Sequence, residues 1–300
     1  MTTPGWMSGH PKKILLATDL SARCDRALDR AVSLAGQWQA ELVVLHVMEE
    51  RLDVSDITDR LPSWRRPADP VDAAYRRLLA DLGDVAEKAR VMIEQGDPVD
   101  TIVRVADSEG CDLIVTGLAR DEPFGRFSLG RTVDRLLRCE RLPLLIVKDR
   151  PRHPYRNIVV ATDFSDSSRI ALEAAAHIFP QQQLTLFHAY EAPLAGRMAD
   201  STLYRKEYRK SVERECEEFL RGVGKPTPAW RAPNVLLEHG PPTLLLHDYV
   251  QEKEVDLLVL GTHGRSAIFE IFIGSVAKAI LDGLPCDALV IREPRAATES

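Results

Sequence analysis

The strongest constraint on this 300-residue chain is an internal duplication. Asp19 recurs as Asp163 and Gly117 as Gly261, each 144 positions on. Glu94-Gln95-Gly96 is answered by Glu238-His239-Gly240, and Pro98 by Pro242, at the same offset. His46 corresponds to His188, two positions out of step. A repeat of this length is a domain rather than a solenoid unit, and each copy is long enough to bury its own core. The expected organisation is a loose tail at 1–10, a first domain at 11–150 and a second at 155–294. Between them lies Asp-Arg-Pro-Arg-His-Pro-Tyr (149–155), so short a connection that the halves are expected to pack together.

Each copy alternates strands and helices. In the first, 13–18 is a strand ending at Asp19, and Ser21 is read as opening a helix with Ala27, Leu28, Ala31, Val32 and Leu34 on its apolar face. Residues 41–47 form a second strand. Residues 48–77, broken by Pro62, Pro67 and Pro70, read as a long connection able to act as a lid. A helix at 73–89, a strand at 90–94, a helix through Ile102, Val103 and Ala106, a strand at 112–116, a helix through Val133, Leu136 and Leu137 and a strand at 144–148 complete the half.

The second copy follows suit. Residues 157–162 lead to Asp163, Ser165 caps a helix buried through Ile170, Ala171, Ala174 and Ile178, and 184–189 is a strand. Residues 191–221 are helical and charged, either a cover over the sheet or a solvated face. A strand at 234–237, a helix at 243–250 and strands at 255–260 and 288–292 finish the pattern, the last closing the sheet. Such alternation predicts an α/β fold with a mainly parallel sheet and helices on both faces.

The chemistry concentrates after the strand at 255–260. There the chain reads Gly-Thr-His-Gly-Arg-Ser-Ala-Ile-Phe-Glu-Ile-Phe-Ile-Gly-Ser: Gly261, two residues, Gly264, nine residues, then Gly274-Ser275. Ser275 can cap a helix with Val276, Ala279 and Ile280 on one face and Gly283 at its stop. Glycines let backbone approach a ligand closely, and the N–H groups of a helix start attract anions. Phosphate is the natural ligand, with His263 or Arg265 as a cationic rim. The plainer alternative is a glycine turn followed by an ordinary capped helix.

This spacing, with Ser after the last glycine, resembles the ATP-binding branch of the universal stress protein family, and the likeness extends across both halves. It implies two tandem open five-stranded sheets of strand order 3-2-1-4-5, with Asp163 and Gly261 at the carboxyl edge of the central strand pair. It implies further that Asp163 contacts the nucleoside and the backbone near Ala189 meets adenine. Gly261, Gly264, Gly274, Ser275 and Val276 would hold ribose and phosphates, with Ala161, Thr162, Leu260 and Thr262 alongside. The implied ligand is ATP with Mg²⁺. In the family the last strands often form a dimer edge, which a tandem chain can satisfy internally; a homodimer of such pairs is a further possibility. Asp163 as an ordinary helix-start carboxylate is the alternative.

The first half departs from the pattern. Gly117 and Gly130 keep their places, but Arg120 replaces the second glycine and Arg131 the serine. Asp121 and Glu122 would repel phosphate, although Arg120, Arg126 and Arg131 could offset them. This half is expected to be structural or regulatory.

Other functions are constrained by composition. A net charge of −6 disfavours nucleic acid, and with 45% apolar residues no run reaches the length of a membrane span. Residues 1–10 lack the basic segment and apolar core of a secretory leader, so a cytoplasmic location is expected. Five scattered cysteines and no His-Glu-x-x-His disfavour a disulfide framework or a protein-built metal site. Related adenine-nucleotide enzymes carry His-x-Gly-His or Ser-Gly-Gly-x-Asp-Ser near the first strand; this chain has Asp-Phe-Ser-Asp-Ser-Ser at 163–168 and Asp-Leu-Ser-Ala at 19–22. The expected function is stress response or signalling through an ATP-dependent change of conformation or of an unidentified protein partner. The alternatives are an interaction protein that binds a partner or small anion without nucleotide, and a slow ATPase.

Overall fold

The structure is a computed structural model; it describes residues 9–21, 24–48, 69–118, 129–139, 141–193, 201–262 and 274–292. The first half contains β1 (Lys13–Thr18), α1 (Asp25–Trp38), β2 (Glu41–Met48) and α2 (Pro70–Leu82), then a 3₁₀ segment Gly83–Lys88. It continues through β3 (Ala89–Gln95), α3 (Pro98–Glu109), β4 (Leu113–Gly117), α4 (Arg131–Cys139) and β5 (Leu144–Val147). The second contains β6 (Ile158–Ala161), α5 (Asp166–Ile178), β7 (Leu184–Tyr190), α6 (Ser201–Val223), β8 (Asn234–His239), α7 (Pro242–Glu252), β9 (Leu257–Gly261), α8 (Ser275–Gly283) and β10 (Asp287–Ile291). The long connection expected to act as a lid falls mainly on 49–68, outside the described residues.

Within each half the strand order is 3-2-1-4-5, as the resemblance implied. The two sheets are one, however: ten strands run β3-β2-β1-β4-β5-β10-β9-β6-β7-β8. β5 and β10 pair antiparallel, Leu145 opposite Leu289, while the pairings within each half are parallel. The last strand of the chain therefore does not close a sheet edge; it lies at the centre. Pairing there satisfies N–H and C=O groups that two separate sheets would leave exposed. β4, β5 and β10 are buried along their whole length, in keeping with their continuous apolar runs.

Alternate side chains feed two core layers, each spanning both halves. One takes Ile14, Leu16, Ala31, Leu78, Val160, Ala171 and Phe219 from β1, β6 and helices α1, α2, α5 and α6. The other takes Leu15, Val43, Ile102, Leu136, Val250 and Ile280, with α3, α4, α7 and α8. Full burial of one such leucine or isoleucine contributes roughly 1.5–3 kcal/mol. The charged segment after β7 resolves into α6, which packs through Val212, Cys216, Phe219 and Val223 and leaves its other faces to solvent.

Local readings differ in three places. Ser21 does not cap α1: the helix starts one turn later at Asp25, and its cap position, Cys24, makes no side-chain capping bond. The helix expected at 73–89 is α2 plus the 3₁₀ turn, because Gly83 adopts a left-handed φ of 53°. On α8, Val276 and Ala279 are exposed, and Ile280, Leu281 and Leu284 make the buried face.

A buried polar cluster fastens the halves. The Asp287 carboxylate, fully buried at the start of β10, accepts from the backbone N–H groups of Lys148 and Asp149 and from the Tyr155 hydroxyl at 2.6 Å. Arg30 of α1 lies with Nε 3.3 Å from Asp287 Oδ2 and its guanidinium 4.1 Å from the centre of the Tyr155 ring. Lys148, also buried, donates through Nζ to the carbonyls of Leu281 and Leu284 at the end of α8. The 149–155 connection is tied to the junction at its two ends, by the N–H of Asp149 and the buried Tyr155, while Arg150, Arg152, His153 and Pro154 are exposed.

Candidate functional site

β6 and β9 run side by side, Val160 opposite Val259, and end together at the carboxyl edge of the second half. After β6 the chain makes two overlapping side-chain turns. Thr162 Oγ1 accepts from the N–H of Phe164 at 2.9 Å, and Asp163 Oδ1 accepts from the N–H of Ser165 at 3.1 Å. The turn forces Phe164 to a left-handed φ of 62°, a conformation that costs a non-glycine residue of order 1 kcal/mol. Ser165 then caps α5 by accepting from the N–H of Ser168, as the sequence predicts.

The first half builds the same turn: Thr18 and Asp19 hold the N–H groups of Leu20 and Ser21, and Leu20 sits at φ 60°. His46 and His188 both place Nδ1 on the carbonyl of the equivalent threonine, at 2.9 and 2.7 Å. Their two-residue slip in sequence is therefore absorbed by the intervening chain, and their role is common. The halves diverge one step later. Ser168, whose hydroxyl lies 2.8 Å from that of Thr162, is replaced by Cys24, and burial pushes that thiol up to about 11. Burial also raises Asp19, but hydrogen bonds from Ser21 and Cys24 outweigh it and hold the carboxyl below its ordinary value.

Gly261 ends β9 against the first turn of α5. A Cβ placed there would lie 2.4 Å from Ser167 Oγ and 2.8 Å from both the carbonyl carbon and oxygen of Ser167. The glycine is thus required by close strand–helix approach, whatever binds nearby. Gly261→Ala is expected to destabilise the ligand-free protein by about 1–3 kcal/mol, as overpacking does. Removing the Ser167 hydroxyl as well should not restore it, since backbone atoms remain in the way. Urea unfolding of the single and double variants measures this; full recovery in the double variant would show that the side chain alone was the obstacle.

Thr262 is buried, and its carbonyl accepts from the N–H of Gly274 at 3.1 Å. The candidate residues His263, Gly264 and Arg265 lie outside the described residues. Gly274, not Ser275, occupies the cap position of α8 and makes no side-chain capping bond; Ser275 is the first helical residue. A Cβ at Gly274 would meet nothing within 4 Å, and its φ of −55° is open to any residue. Neither packing nor backbone requires a glycine there. The N–H groups of this first turn have no partner within the helix. Val276 is exposed on the same turn.

Of the remaining site residues, Ala161 ends β6, Leu260 is the buried penultimate residue of β9, and Ala189 lies in β7 opposite Glu238. Thr162 N–H reaches the carbonyl of Phe187, tying β6 to β7 just below Ala189. Sequence reading missed Ser167, Ser168 and the threonine hydroxyls, although the repeated Thr-Asp-x-Ser at 18–21 and 162–165 carried the signal.

The family model of the universal stress proteins matches this chain twice, over residues 10–148 and 154–292. The chain belongs to the universal stress protein family. It is a tandem member, each match covering one half of the ten-stranded sheet. Universal stress protein MJ0531 of Methanocaldococcus jannaschii is 28% identical over 149 residues, 47% of this chain and 84% of that protein. The structure of the functionally unknown protein PA1789 from Pseudomonas aeruginosa aligns over 97% of this chain and 95% of that one, with 21% identity and a TM-score of 0.66. A universal stress protein solved in complex with cAMP is 25% identical over 46% of this chain and 96% of its own, at a TM-score of 0.31. Among the described residues of this universal stress protein, no helix is long and apolar enough to cross a membrane and no cluster of His, Cys, Asp and Glu could hold a metal ion.

Proposed function

We propose that the second half binds an adenine nucleotide, ATP with Mg²⁺, and that the protein acts in the cytoplasm by coupling occupancy of this site to conformation or partner choice. The observation that carries the reading is the start of α8. Among the described residues nothing lies within 4 Å of a Cβ placed on Gly274, and the first turn of α8 holds no acidic side chain to serve as an internal anion. The macrodipole and free N–H groups there favour an anionic ligand. In the first half the exposed Arg131 opens the equivalent helix in place of Ser275, and Arg120 replaces the equivalent of Gly264. The residues present suit a nucleotide in which phosphates take the helix start and Asp163 takes the ribose. Mg²⁺ would supply charge neutralisation between phosphates and need not be held by a protein cluster.

The reading is tested by thermal unfolding with and without ATP and Mg²⁺. Ligand at about 100 times its dissociation constant stabilises a native state by about 2.7 kcal/mol. Wild type should show the shift, and Gly264→Arg, which copies the first half into the second, should not. Gly274→Asp sharpens the experiment. A carboxylate at the cap position suits a helix slightly better than glycine does, by a few tenths of a kcal/mol, but it occupies the anion position. Its ligand-free midpoint should be kept or raised while the ATP shift is lost. Absence of any shift in wild type, with no nucleotide co-purified, would favour the interaction-protein alternative.

A further inference from the structure

The joined sheet has two outer edges, β3 and β8. They are built alike. Gly96 and Gly240 donate their N–H groups to the carbonyls of Met48 and Tyr190, at 3.0 and 2.9 Å, and α3 and α7 follow from Pro98 and Pro242. Main-chain groups alternate in direction along a strand, residue by residue. Because Gly240 points to β7, the N–H and C=O groups of Val235, Leu237 and His239 point away from it, and among the described residues no strand pairs with them. Side chains alternate too. Leu236 packs in the layer that α7 covers, so Glu238, two residues on, faces α7 as well.

The two edges differ in charge. At β3, Arg90 pairs with Glu109 at 2.8 Å and Glu94 with Arg104 at 3.2 Å, so two ion pairs run from the strand to α3 and close its rim. The same positions 144 residues on hold Asn234 with Lys253, and Glu238 with Asp248. Neither combination is an ion pair, and the second sets two carboxylates where the first half sets a carboxylate and a guanidinium. Glu238 is exposed and forms no ion pair among the described residues; Arg209 of α6, which it attracts, is held by Glu213 at 3.1 Å. Asp248 is exposed and lies 3.6 Å from the imidazole of His247 beside it. On the same helix Leu244, which stands in place of Asp100, is 57% exposed.

We infer that the outer edge of β8 receives an extended basic segment of a partner protein as an added strand. Its main chain pairs with Val235, Leu237 and His239, its lysine or arginine side chains meet Glu238 and Asp248, and an apolar one covers Leu244. Main-chain pairing supplies affinity without regard to sequence; the carboxylates and the apolar position choose which strand is taken. Charge decides the occupant. A second β8 would bring four carboxylates to one seam, and charges of one sign on an edge are a device against self-pairing. The β3 edge of a second copy offers arginines already paired with glutamates. A separate basic strand meets neither obstacle. The inference does not depend on the nucleotide reading.

Fluorescence anisotropy with the full-length protein tests this, using a labelled, end-blocked octapeptide of alternating lysine and valine. The controls are its glutamate–valine counterpart and an N-methylated lysine–valine peptide, equal in charge but stripped of main-chain donors. Wild type is expected to bind the first peptide and neither control. Val235→Pro removes an outward N–H at a position where an edge strand tolerates proline, and should weaken binding by about two- to tenfold, the effect of one hydrogen bond. Glu238→Gln combined with Asp248→Asn should weaken it by about fivefold at low salt, and by less at high salt. Glu94→Gln, at the other edge, should leave it as in wild type. Unfolding midpoints near that of wild type show that the variants fold; should Val235→Pro unfold, the N-methylated peptide carries the same test. Equal binding of the N-methylated peptide would mean attraction to an acidic surface alone and overturns the inference. So does a wild type that binds none of the peptides. A dimer seen in sedimentation, and dissolved by Val235→Pro, would give the edge to a second copy and overturn it too.

Discussion

Asp287→Ala is expected to cost about 3–5 kcal/mol of unfolding free energy. The carboxylate is fully buried where the halves join, and burial pushes its proton affinity up while two backbone N–H groups, the Tyr155 hydroxyl and Arg30 pull it down. Replacing it leaves the buried Arg30 guanidinium without its countercharge and the N–H groups of Lys148 and Asp149 without their acceptor. An unpaired buried charge is far more expensive than an absent pair. The double variant Arg30→Met with Asp287→Ala should therefore recover a substantial part of the loss, a coupling of ~1–3 kcal/mol for groups in direct contact. Urea unfolding of the four proteins measures it. Strict additivity would mean that Asp287 acts through its backbone hydrogen bonds alone. Because the junction joins both core layers, the loss should appear in a single transition rather than as melting of one half.

Lys148 gives the second large effect, visible as a change with pH. Burial depresses its ammonium group from 10.5 to about 8, against the attraction of Cys286, Asp282 and Asp287. Below pH 8 the amine is protonated in both the folded and unfolded chain, and folding carries the full cost of burying the charge. Between about pH 8 and 10.5 the unfolded chain holds the proton more tightly, so stability rises with pH. At ~1.36 kcal/mol per unit, the gain approaches ~3 kcal/mol across that window. Cysteine thiols work in the opposite sense at the upper end: burial raises Cys24 to about 11 and Cys286 to about 12, so the native state resists their ionisation. In the native state both thiols stay protonated across the pH 8–10.5 window, so within it the difference between wild type and a Lys148→Met variant isolates the amine. Wild-type stability relative to Lys148→Met should climb from pH 8 to 10.5 and level off beyond it. Parallel curves would place the Lys148 amine in water rather than in the junction.

How much of the site the sequence carried differs residue by residue. Ser165 was readable as a cap because capping is local, set by a hydroxyl and an N–H three residues apart. Ser21 carries the same tetrapeptide context, but α1 starts at Asp25 with Cys24 at its cap position, a choice the local residues do not announce. Gly261 was readable as a glycine with a purpose, but which purpose was not: its neighbour, Ser167, comes from a helix far back in the chain. Val276 was assigned to a buried face by its spacing, yet α8 turns that position outward at the site. Arg30 shows the limit most plainly. It sits among the apolar positions of α1, and only the approach of Asp287 and Tyr155 makes a buried arginine tenable there.

The sequence by itself determined the duplication, the alternation of strands and helices in each copy, and the glycine spacing that sets the second copy apart from the first. These depend on short-range periodicity and on residues close together in the chain. Only the tertiary structure decided that two five-stranded sheets become one, that β10 lies at its centre, and that Asp134 of α4 pairs with Lys278 of α8. Those outcomes depend on which strand edges meet. Main-chain pairing can join any two such edges, and what selects one junction is the fit of side chains drawn from both ends of the chain.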